Sequence, residues 1–292
     1  MTIRDSLAKA AGRLEEAGVE PASREAALLL SHAMNWDRAT LLAHAGDELS
    51  DADHQTFFDL VERRAEREPA AQIFGCREFW SLPFVISKEV LCPRPDSETL
   101  VEIVLTLSKE RFEARNKPIR LLDLGTGSGC LVLSLLHEIP DASAVGVDQS
   151  LNALAIARTN GERLELSSRA SWLCADWGTA LDGVFDIIVS NPPYVRTDEW
   201  RTLEPEVRLF EPETALLAGD DGLDAYRLLA PEVKRLLAPE GIACFEHGQG
   251  QGDAIVKLMA TAGLTCIARK ADLAGIGRCL AFERACSPST TP

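Results

Sequence analysis

Asn191, Pro192, Pro193 and Tyr194 have the residue types and the placement to bind an amide or an amine. They directly follow residues 185–190, a short β-branched apolar run that predicts a buried parallel strand. Open α/β sheets bind their ligands at the carboxyl ends of such strands. Because proline has no N–H, the backbone at the two prolines offers only acceptors, and the Asn191 side-chain oxygen adds another. The pocket suits a group with two N–H donors, although Asn-Pro is also a turn signal and the tetrapeptide alone leaves both interpretations open.

The second motif is a glycine loop that consists of Gly125, Thr126, Gly127, Ser128 and Gly129. The apolar run 119–124 before it predicts a strand, and the apolar run 130–136 after it predicts a helix. Strand, glycine loop and helix form the nucleotide-binding arrangement, in which glycine lets the backbone approach a ligand closely. A dinucleotide fingerprint has another glycine at its sixth position, where this chain has Cys130. The spacing therefore fits a Rossmann-like site that does not need to hold a pyrophosphate.

Acidic residues follow the next two predicted strands. Asp148 ends a short strand, where an acid can accept hydrogen bonds from two ribose hydroxyls. Its alternative role is to cap the following helix together with Ser150. Beyond the third strand, Asp176 can accept from an adenine amino group while Trp177 flanks the ring, although a tryptophan there also suits the core. The four motifs together predict one pocket along the carboxyl edge of a sheet.

The charge of the chain argues against a nucleic acid as its partner. The chain has 45 acidic and 30 basic residues, a formal net charge of −15 and a pI near 4.8. A phosphate backbone is normally bound by a basic face, and the sequence has no lysine- or arginine-rich stripe interleaved with aromatic residues. It also has no second block large enough for a DNA target-recognition domain. We therefore expect no direct binding to nucleic acid.

The remaining composition predicts a cytoplasmic protein without a metal or a membrane segment. No apolar run reaches the roughly 20 residues that span a membrane, and the N-terminus lacks a signal-peptide core. The eight cysteines are scattered without a Cys-x-x-Cys pair, and the five histidines show no metal-ligand spacing. We interpret the cysteines as reduced packing residues of a cytosolic protein.

Hydrophobic patterning predicts a helical domain over residues 1–72, a β-hairpin linker over 73–95, an α/β domain over 96–286 and a disordered tail over 287–292. In the first range, apolar residues recur at helical spacing and strand patterning is absent. In the linker, residues 78–86 alternate enough to predict a hairpin that closes near Val90 and Leu91. In the α/β domain, strands alternate with helices, which predicts a Rossmann-like fold with a mostly parallel sheet.

The four motifs resemble those of class I S-adenosylmethionine-dependent methyltransferases that methylate amino groups. Five segments occur in the order seen in the release factor glutamine methyltransferases: residues 74–80, 91–98, the glycine loop, 190–194, and 210–212 with 215–216. The similarity covers nearly the whole chain, including the helical N-terminal domain. Cys92 and Ser97 stand where that family usually has an aliphatic residue and a threonine. Neither departure removes a motif residue.

The resemblance implies an enzyme that transfers a methyl group from S-adenosylmethionine to the N5 atom of a glutamine. That glutamine lies in the Gly-Gly-Gln loop of peptide chain release factors, which would be the partners of a monomeric enzyme. The glycine loop would line the methionine part of the cofactor, Asp148 the ribose, and Asp176 with Trp177 the adenine. The tetrapeptide 191–194 would hold the glutamine, and Asn191 would also lie close to the cofactor.

The chemistry of an amide agrees with this interpretation. An amide nitrogen is a poor nucleophile because its lone pair is delocalised into the carbonyl. A pocket in which the Asn191 side-chain oxygen and the Pro192 carbonyl accept both N–H bonds would orient that nitrogen and favour positive charge on it. Tyr194 would pack on the amide face or anchor the loop. No general base is required, since the N-methylated intermediate is strongly acidic.

Three other functions stay open at this point. An adenine or cytosine amino methyltransferase acting on nucleic acid would use the same kind of pocket, and its activity would weaken steeply with salt. A glutamine methyltransferase acting on a ribosomal protein is a related possibility, although residues 93–96 look more like the release-factor enzymes. A non-catalytic protein that only binds S-adenosylmethionine would be excluded by turnover on any acceptor.

Overall fold

The computed structural model describes residues 1–112 and 117–285, and the predicted tail over 287–292 lies outside them. The chain forms two compact units. The first contains Met1–Cys76 together with Glu204–Phe210, and the second contains the described residues of Arg77–Leu203 and Glu211–Pro292. The predicted domain ranges follow the chain in order, whereas the first unit also takes in this later segment. The predicted boundaries stay a prediction.

The helices of the described residues are α1 (Ile3–Glu16), α2 (Ala22–Met34), α3 (Arg38–Ala43), α4 (Asp51–Ala65), α5 (Ala70–Phe74), α6 (Glu98–Phe112), α7 (Cys130–Glu138), α8 (Leu151–Arg163), α9 (Pro205–Phe210), α10 (Asp224–Leu236) and α11 (Gly252–Thr261). The strands are β1 (Cys76–Phe79), β2 (Leu82–Val85), β3 (Ile119–Leu124), β4 (Ala142–Asp148), β5 (Ala170–Cys174), β6 (Phe185–Ser190), β7 (Leu237–Glu246), β8 (Leu264–Ala271) and β9 (Gly277–Arg284). None of the described helices is long and apolar enough to cross a membrane.

The first unit is helical, as the apolar spacing predicted. Helices α1 and α4 begin after Thr2 and Ser50, whose hydroxyls accept hydrogen bonds from backbone N–H groups of the first turn. The amphipathic faces of α1, α2 and α4 meet in one core, in which Leu14, Leu29 and Phe57 are fully buried. The prediction of a helical N-terminal region is therefore confirmed.

Ion pairs attach helix α9 to the first unit. Glu206 of α9 accepts hydrogen bonds from the guanidinium groups of Arg64 (Nη1–Oε1, 3.0 Å) and Arg67 (Nη2–Oε2, 2.6 Å) on and just after α4. The Gln72 side chain donates to the Phe210 carbonyl over 2.7 Å. Charge-assisted pairs of this kind are stronger than neutral hydrogen bonds. They explain why a segment so late in the chain joins the first unit.

The predicted hairpin exists but is shorter than the sequence suggested. Strands β1 and β2 form a separate two-stranded sheet. The two residues that join them, Trp80 and Ser81, have φ values of 52° and 57°, which is the backbone conformation of a two-residue type I′ turn. The prediction that the hairpin closes near Val90 and Leu91 is wrong. The second strand ends at Val85, and a turn follows in which the Val90 N–H donates to the Ser87 carbonyl.

A seven-stranded sheet with the order β5-β4-β3-β6-β7-β9-β8 forms the centre of the second unit. The pairs β4–β5, β3–β4, β3–β6 and β6–β7 are parallel, whereas β9 is antiparallel to both β7 and β8. From β3 the chain proceeds to β4 and β5 on one side, and then returns to β6 on the other side. The carboxyl ends of β3 and β6 therefore meet at the point where the strand order reverses, which is where open α/β sheets bind ligands.

Helices cover both faces of this sheet. Helices α6 and α7 pack on one face, where Leu121, Ile187 and Cys244 are fully buried. Helices α10 and α11 pack on the other face, where Phe245 and Phe282 lie together in the core. Burial on both faces explains the nearly continuous apolar runs of the parallel strands. The predicted α/β architecture with a mostly parallel sheet is confirmed.

Candidate active site

A cavity of about 320 Å³ lies at the carboxyl ends of strands β3, β4, β5 and β6. Small-molecule sites typically enclose about 300–1,000 Å³. Among the residues that the sequence singled out, those that line the cavity are Gly125, Thr126, Gly127, Ser128, Asp148, Asp176, Trp177, Asn191 and Pro193. Gly129, Pro192 and Tyr194 do not line it. Residues from four different predicted strand ends thus meet at one cavity.

The backbone of the glycine loop requires glycine at three positions. Gly125, Gly127 and Gly129 have φ values of 75°, 53° and 79°, a region that other residues enter only with strain. A Cβ atom on Gly127 would meet no other atom within 4 Å, whereas one on Gly125 would lie 3.4 Å from the Trp177 ring. Because Gly127 borders the cavity and carries no side chain, a ligand can approach its backbone closely.

Gly129 is needed for packing, not for the cavity. A Cβ atom there would lie 3.1 Å from the Trp172 ring and 3.2 Å from the Ala157 side chain. Gly146 of β4 approaches the same ring, since its Cβ would come within 2.5 Å of Trp172. The indole of Trp172 therefore fits into space that the two glycines leave open, and this packing fixes the start of α7 against the sheet.

Asp148 joins the second strand to the glycine loop. Its Oδ2 accepts a hydrogen bond from the Gly127 N–H over 2.9 Å, and its Oδ1 accepts one from the Ser150 N–H over 2.9 Å. The side-chain cap of helix α8 is Ser150, whose hydroxyl accepts from the Ala153 N–H. An ionised carboxylate can accept about four hydrogen bonds, so Asp148 retains capacity for donors from a ligand.

A buried acid that the sequence interpretation missed lies beneath the loop. Asp123 of β3 is fully buried, and its Oδ2 accepts from the Thr126 hydroxyl over 2.7 Å. Its Oδ1 has no hydrogen-bond partner among the described residues. Burial raises the pKa of Asp123 to about 7, the Thr126 hydroxyl opposes that rise, and the charge of Asp148 adds to it. An acid within an otherwise apolar strand was the signal in the sequence.

Asn160 of α8 braces the loop from behind. Its side-chain NH₂ donates to the Ser128 carbonyl over 2.9 Å and to the Val85 carbonyl over 3.0 Å. Its side-chain oxygen accepts from the Val85 N–H over 2.7 Å. A fully buried amide is stable only with such partners, and here they connect the glycine loop to strand β2. No local pattern in the sequence indicated this role.

Trp177 and Asp176 border the cavity at the end of β5. Trp177 has a φ of 49° and is half-buried, so its indole lies partly against Gly125 and partly beside the cavity. Asp176 is exposed. An aromatic face next to a polar acceptor suits a flat heterocycle with an amino group, which is the chemistry that the sequence predicted for this pair.

The Asn191–Tyr194 segment is held by side chains from distant parts of the chain. The Asn191 Nδ2 donates to the Ser97 hydroxyl over 3.2 Å. The Tyr194 carbonyl accepts from the Gln251 side chain over 2.9 Å, and Gln251 also accepts from the Gly248 N–H. The Tyr194 ring packs against the core of the second unit, and burial raises the pKa of its hydroxyl. Tyr194 therefore anchors the segment in this structure.

Two further segments complete the cavity lining. One contributes Lys88, Glu89, Val90, Leu91, Pro93, Arg94 and Ser97, and the other contributes Pro212, Thr214 and Ala215. Arg94 connects them, because its guanidinium donates over 2.6 Å to Glu211, whose side chain is 1% exposed. Burial raises the pKa of Glu211 and the charge of Arg94 opposes that rise. Leu91–Ser97 of the first segment, and Pro212 and Ala215 of the second, belong to the motifs behind the family resemblance, yet none of these residues was predicted as a site residue.

The groups that line the cavity fit an organic cofactor with a ribose and a flat ring better than they fit a metal ion. The cavity offers the backbone of Gly127 without a side chain, the carboxylate of Asp148 and the indole of Trp177. Within residues 1–112 and 117–285, no group of three metal-binding side chains lies together. The described cysteines are free thiols.

Known proteins with similar folds and sequences agree with this description. The structure of a methyltransferase from Pyrococcus furiosus is 16% identical, covers 77% of this chain and 99% of that chain, and has a TM-score of 0.51, which shows the fold. The PrmC N-terminal domain family matches residues 5–75, and the methyltransferase small domain family matches residues 97–215. The predicted class I methyltransferase fold is thus confirmed.

Relatives in two bacteria extend the similarity over nearly the full chain. The protein named release factor glutamine methyltransferase in Bradyrhizobium diazoefficiens is 44% identical, and the similarity covers 97% of this chain and 95% of that protein. The protein of the same name in Caulobacter vibrioides is 42% identical, over 94% of this chain and 93% of its own. This chain belongs to the release factor glutamine methyltransferase family.

Proposed function

We propose that the protein methylates the side-chain nitrogen of the glutamine in the Gly-Gly-Gln motif of peptide chain release factors, with S-adenosylmethionine as the cofactor. The observation that carries the proposal is the orientation of Asn191 at the cavity. Its NH₂ group donates to Ser97, and its Oδ1 has no hydrogen-bond partner among the described residues. An amide oxygen beside an acceptor-only proline backbone is the arrangement that binds an NH₂ group.

Different residues of the cavity would bind different parts of the cofactor and the glutamine. The glycine loop would hold the methionine part, Asp148 the ribose hydroxyls, and Trp177 with Asp176 the adenine. When bound, S-adenosylmethionine supplies an electrophilic methyl group on a sulfonium ion. The tetrapeptide 191–194 would hold the glutamine at the neighbouring strand end, where β3 and β6 are paired.

The protein contributes to the reaction by accepting hydrogen bonds. The Asn191 Oδ1 and the Pro192 carbonyl would accept the two N–H groups of the substrate amide, which orients its nitrogen and favours positive charge on it. Holding two reacting groups in line contributes up to roughly 7–11 kcal/mol to the lowering of a barrier. Burial raises the pKa of the Tyr194 hydroxyl, so the phenol stays protonated and does not accept a proton in the reaction. Its role is to anchor the segment that carries Asn191.

We further propose that the helical first unit recognises the release factor. All candidate cofactor residues and the whole cavity belong to the second unit, and a Gly-Gly-Gln loop alone offers little contact area. A stable protein interface buries about 1,200–2,000 Å² in total. The first unit carries exposed apolar side chains such as Leu42 and Leu209, which are 70% and 61% exposed. Since release factors work at the ribosome, this substrate implies a cytoplasmic location, and we expect the enzyme to act as a monomer.

Mass spectrometry of a purified release factor tests the reaction. After incubation with the enzyme and S-adenosylmethionine, we expect one added methyl group, about 14 Da, on the Gly-Gly-Gln glutamine in fragment spectra. A release factor with that glutamine changed to glutamate is the matched control and should gain no mass. Methylation at another residue, or methylation of RNA or DNA alone in parallel assays, would contradict the proposal.

A comparison of two substrates tests the recognition role. In the Leu42→Asp and Leu209→Asp variants we expect a higher KM for the intact release factor and an unchanged rate with a short Gly-Gly-Gln peptide. Both leucines are too exposed for the substitutions to disturb the core. If both variants methylate the intact release factor with wild-type KM, these parts of the first unit do not contact it.

A further inference from the structure

Glu246 is a buried acid that the proposed reaction does not use. It ends strand β7 and is 2% exposed, and its Oε2 has no hydrogen-bond partner among the described residues. The parallel register pairs Ser190, the last residue of β6, with Phe245, so Asn191 follows directly after the strand that lies beside the end of β7 at Glu246. Because an isolated buried carboxylate is costly, its position directly behind the candidate substrate site points to a role there.

Two polar side chains lie between Glu246 and the cavity. Burial raises the pKa of Glu246 to about 7, and hydrogen bonds from Ser97 and Asn191 oppose that rise. The Asn191 Nδ2 also donates to the Ser97 hydroxyl over 3.2 Å. Ser97 and Asn191 both line the cavity. The three side chains therefore form a short polar chain that runs from the cavity into the core.

The chemistry of the two groups determines which way the amide points. An ionised carboxylate only accepts hydrogen bonds, whereas the two ends of an asparagine side chain differ, one donating and the other accepting. Glu246 therefore attracts the NH₂ end of Asn191 and leaves the carbonyl end for the cavity. A half-turn of the amide has almost no steric cost, since the two ends have nearly the same shape. The turned Asn191 amide would present its NH₂ donors to the substrate NH₂ group, which also offers only donors, so no hydrogen bond would form.

We propose that Glu246 is a positioning residue that, together with Ser97, holds the Asn191 amide with its NH₂ group toward the core and its carbonyl toward the substrate. The inference deepens the proposed function and rests on it for the identity of the substrate. The orientation itself is a property of this chain and can be measured without any reaction.

Other charged and titratable groups surround Glu246. They come from the turn before α6, the tetrapeptide and strand β9, and from the starts of α7 and α10: Asp96, Tyr194, Arg278, Cys279, Cys130 and Tyr226. Arg278 is the cation of this group, and it is already paired with Asp96 at 3.1 Å and Asp272 at 3.0 Å. The positive charge of Arg278 is thus shared with two other carboxylates. Ser97 and Asn191, which both donate hydrogen bonds to Glu246, are therefore its nearest polar partners when its carboxyl gains or loses a proton.

Nuclear magnetic resonance of the Asn191 side chain tests the orientation directly. The chain has five asparagines, so selective ¹⁵N-asparagine labelling gives few side-chain signals, and loss of one signal pair in Asn191→Ala assigns Asn191. In the wild-type protein we expect the Asn191 NH₂ signals to move with pH with a midpoint near 7, as the adjacent acid ionises. In Glu246→Gln we expect the same signals to stay fixed across that range.

Tyr226→Phe is the matched control. The Tyr226 hydroxyl donates to the backbone carbonyl of Glu246 over 2.6 Å, so this variant removes a buried hydrogen bond at the same residue but leaves its carboxyl in place. We expect its Asn191 signals to titrate as in the wild type. Wild-type signals that do not titrate would overturn the inference, and so would signals that titrate unchanged in Glu246→Gln.

Kinetics provide an independent readout of the same coupling. Groups that orient metal ligands in other proteins contribute about 10–100-fold to activity. By analogy, we expect Glu246→Met to lower kcat by that factor, and Glu246→Gln, which keeps an acceptor, to lower it by less. In an Asn191→Ala background, Glu246→Met should cost less than about threefold, because residues that act through one another are not additive. An equal loss in both backgrounds would show that Glu246 acts on the fold and not through Asn191. A wild-type protein that methylates no glutamine would contradict the proposed function while leaving the resonance result valid.

Discussion

The glycine loop and the Asn191–Tyr194 segment both border the cavity, yet their geometry has different origins. The loop is shaped by its own backbone, with glycines at the positive φ values of Gly125, Gly127 and Gly129. The tetrapeptide is held by side chains from far along the chain, namely Ser97 and Gln251, with Glu246 behind them. The turns of the cofactor loop therefore follow from its own glycines, although Asp148 and Asn160 brace it. The orientation of the substrate segment depends wholly on side chains from other elements.

This difference has a functional consequence. Enzymes with different substrates can share one cofactor, so a loop whose turns follow from glycine spacing suits cofactor binding in general. The acceptor that defines the substrate is a single asparagine, and its orientation depends on neighbours that the fold supplies. We therefore expect changes in the loop to affect cofactor binding and stability, and changes around the tetrapeptide to affect turnover.

The largest effect is expected on the substrate side. Asn191→Ala should lower turnover by about 10²–10³, as does removal of other preorganised transition-state partners. Its affinity for S-adenosylhomocysteine, measured by calorimetry, should change little. Single-turnover kinetics at saturating cofactor separate the two quantities. A loss of cofactor affinity as large as the loss of rate would show that the two sides are not separate.

A reciprocal change on the cofactor side sharpens the comparison. Asp148→Ala should weaken cofactor binding by roughly 1.5–3 kcal/mol, the contribution of hydrogen bonds to a charged acceptor. The rate at saturating cofactor should stay close to that of the wild type, because Asp148 contacts the loop and not the tetrapeptide. The same calorimetry and single-turnover assays apply. A slow rate that saturating cofactor does not restore would contradict the assignment.

Two glycines of the loop form a matched pair. Gly127→Ala and Gly129→Ala both place a side chain at positive φ, which costs about 1–3 kcal/mol. Gly129→Ala also meets Trp172 and Ala157, so its free energy of unfolding should fall further. Gly127→Ala meets only the cavity, so it should lose more cofactor affinity per unit of lost stability. Denaturant titration measures the loss of stability and calorimetry the loss of cofactor affinity in both variants. The same ratio of lost affinity to lost stability in the two variants would contradict this interpretation.

The effect with the smallest change per step of the measurement concerns pH and the loop acid. Burial raises the pKa of Asp123 from its ordinary value of 3.8 to about 7, so the folded protein binds more protons than the unfolded chain between these values. Its contribution to the free energy of unfolding is therefore fully present below about pH 4, falls by at most about 1.4 kcal/mol per pH unit as the pH rises, and is constant above about pH 7. Asp123→Asn should remove this part of the slope in urea titrations at pH 5, 6, 7 and 8, and the part that Glu246 contributes over the same range should remain. An unchanged slope would mean that Asp123 is ionised throughout.

The sequence could predict what is local and could not predict what tertiary contacts create. The strand–loop–helix order around Gly125–Gly129 and the position of Asn191 after a strand follow from short patterns, and both lie at the cavity. The partners Ser97 and Glu246 are far from Asn191 in sequence, so no short pattern connects them. The hairpin ended early because its turn lies at Trp80 and Ser81, two residues that rarely adopt positive φ and so gave no turn signal.

A crystal structure of the complex with S-adenosylhomocysteine and a Gly-Gly-Gln peptide tests the central claim most directly. We predict that the glutamine Nε2 lies about 2.7–3.2 Å from both the Asn191 Oδ1 and the Pro192 carbonyl oxygen. The cofactor should lie along the glycine loop with its ribose at Asp148. A glutamine bound elsewhere, or an Asn191 amide that turns its NH₂ group toward the substrate, would contradict the account.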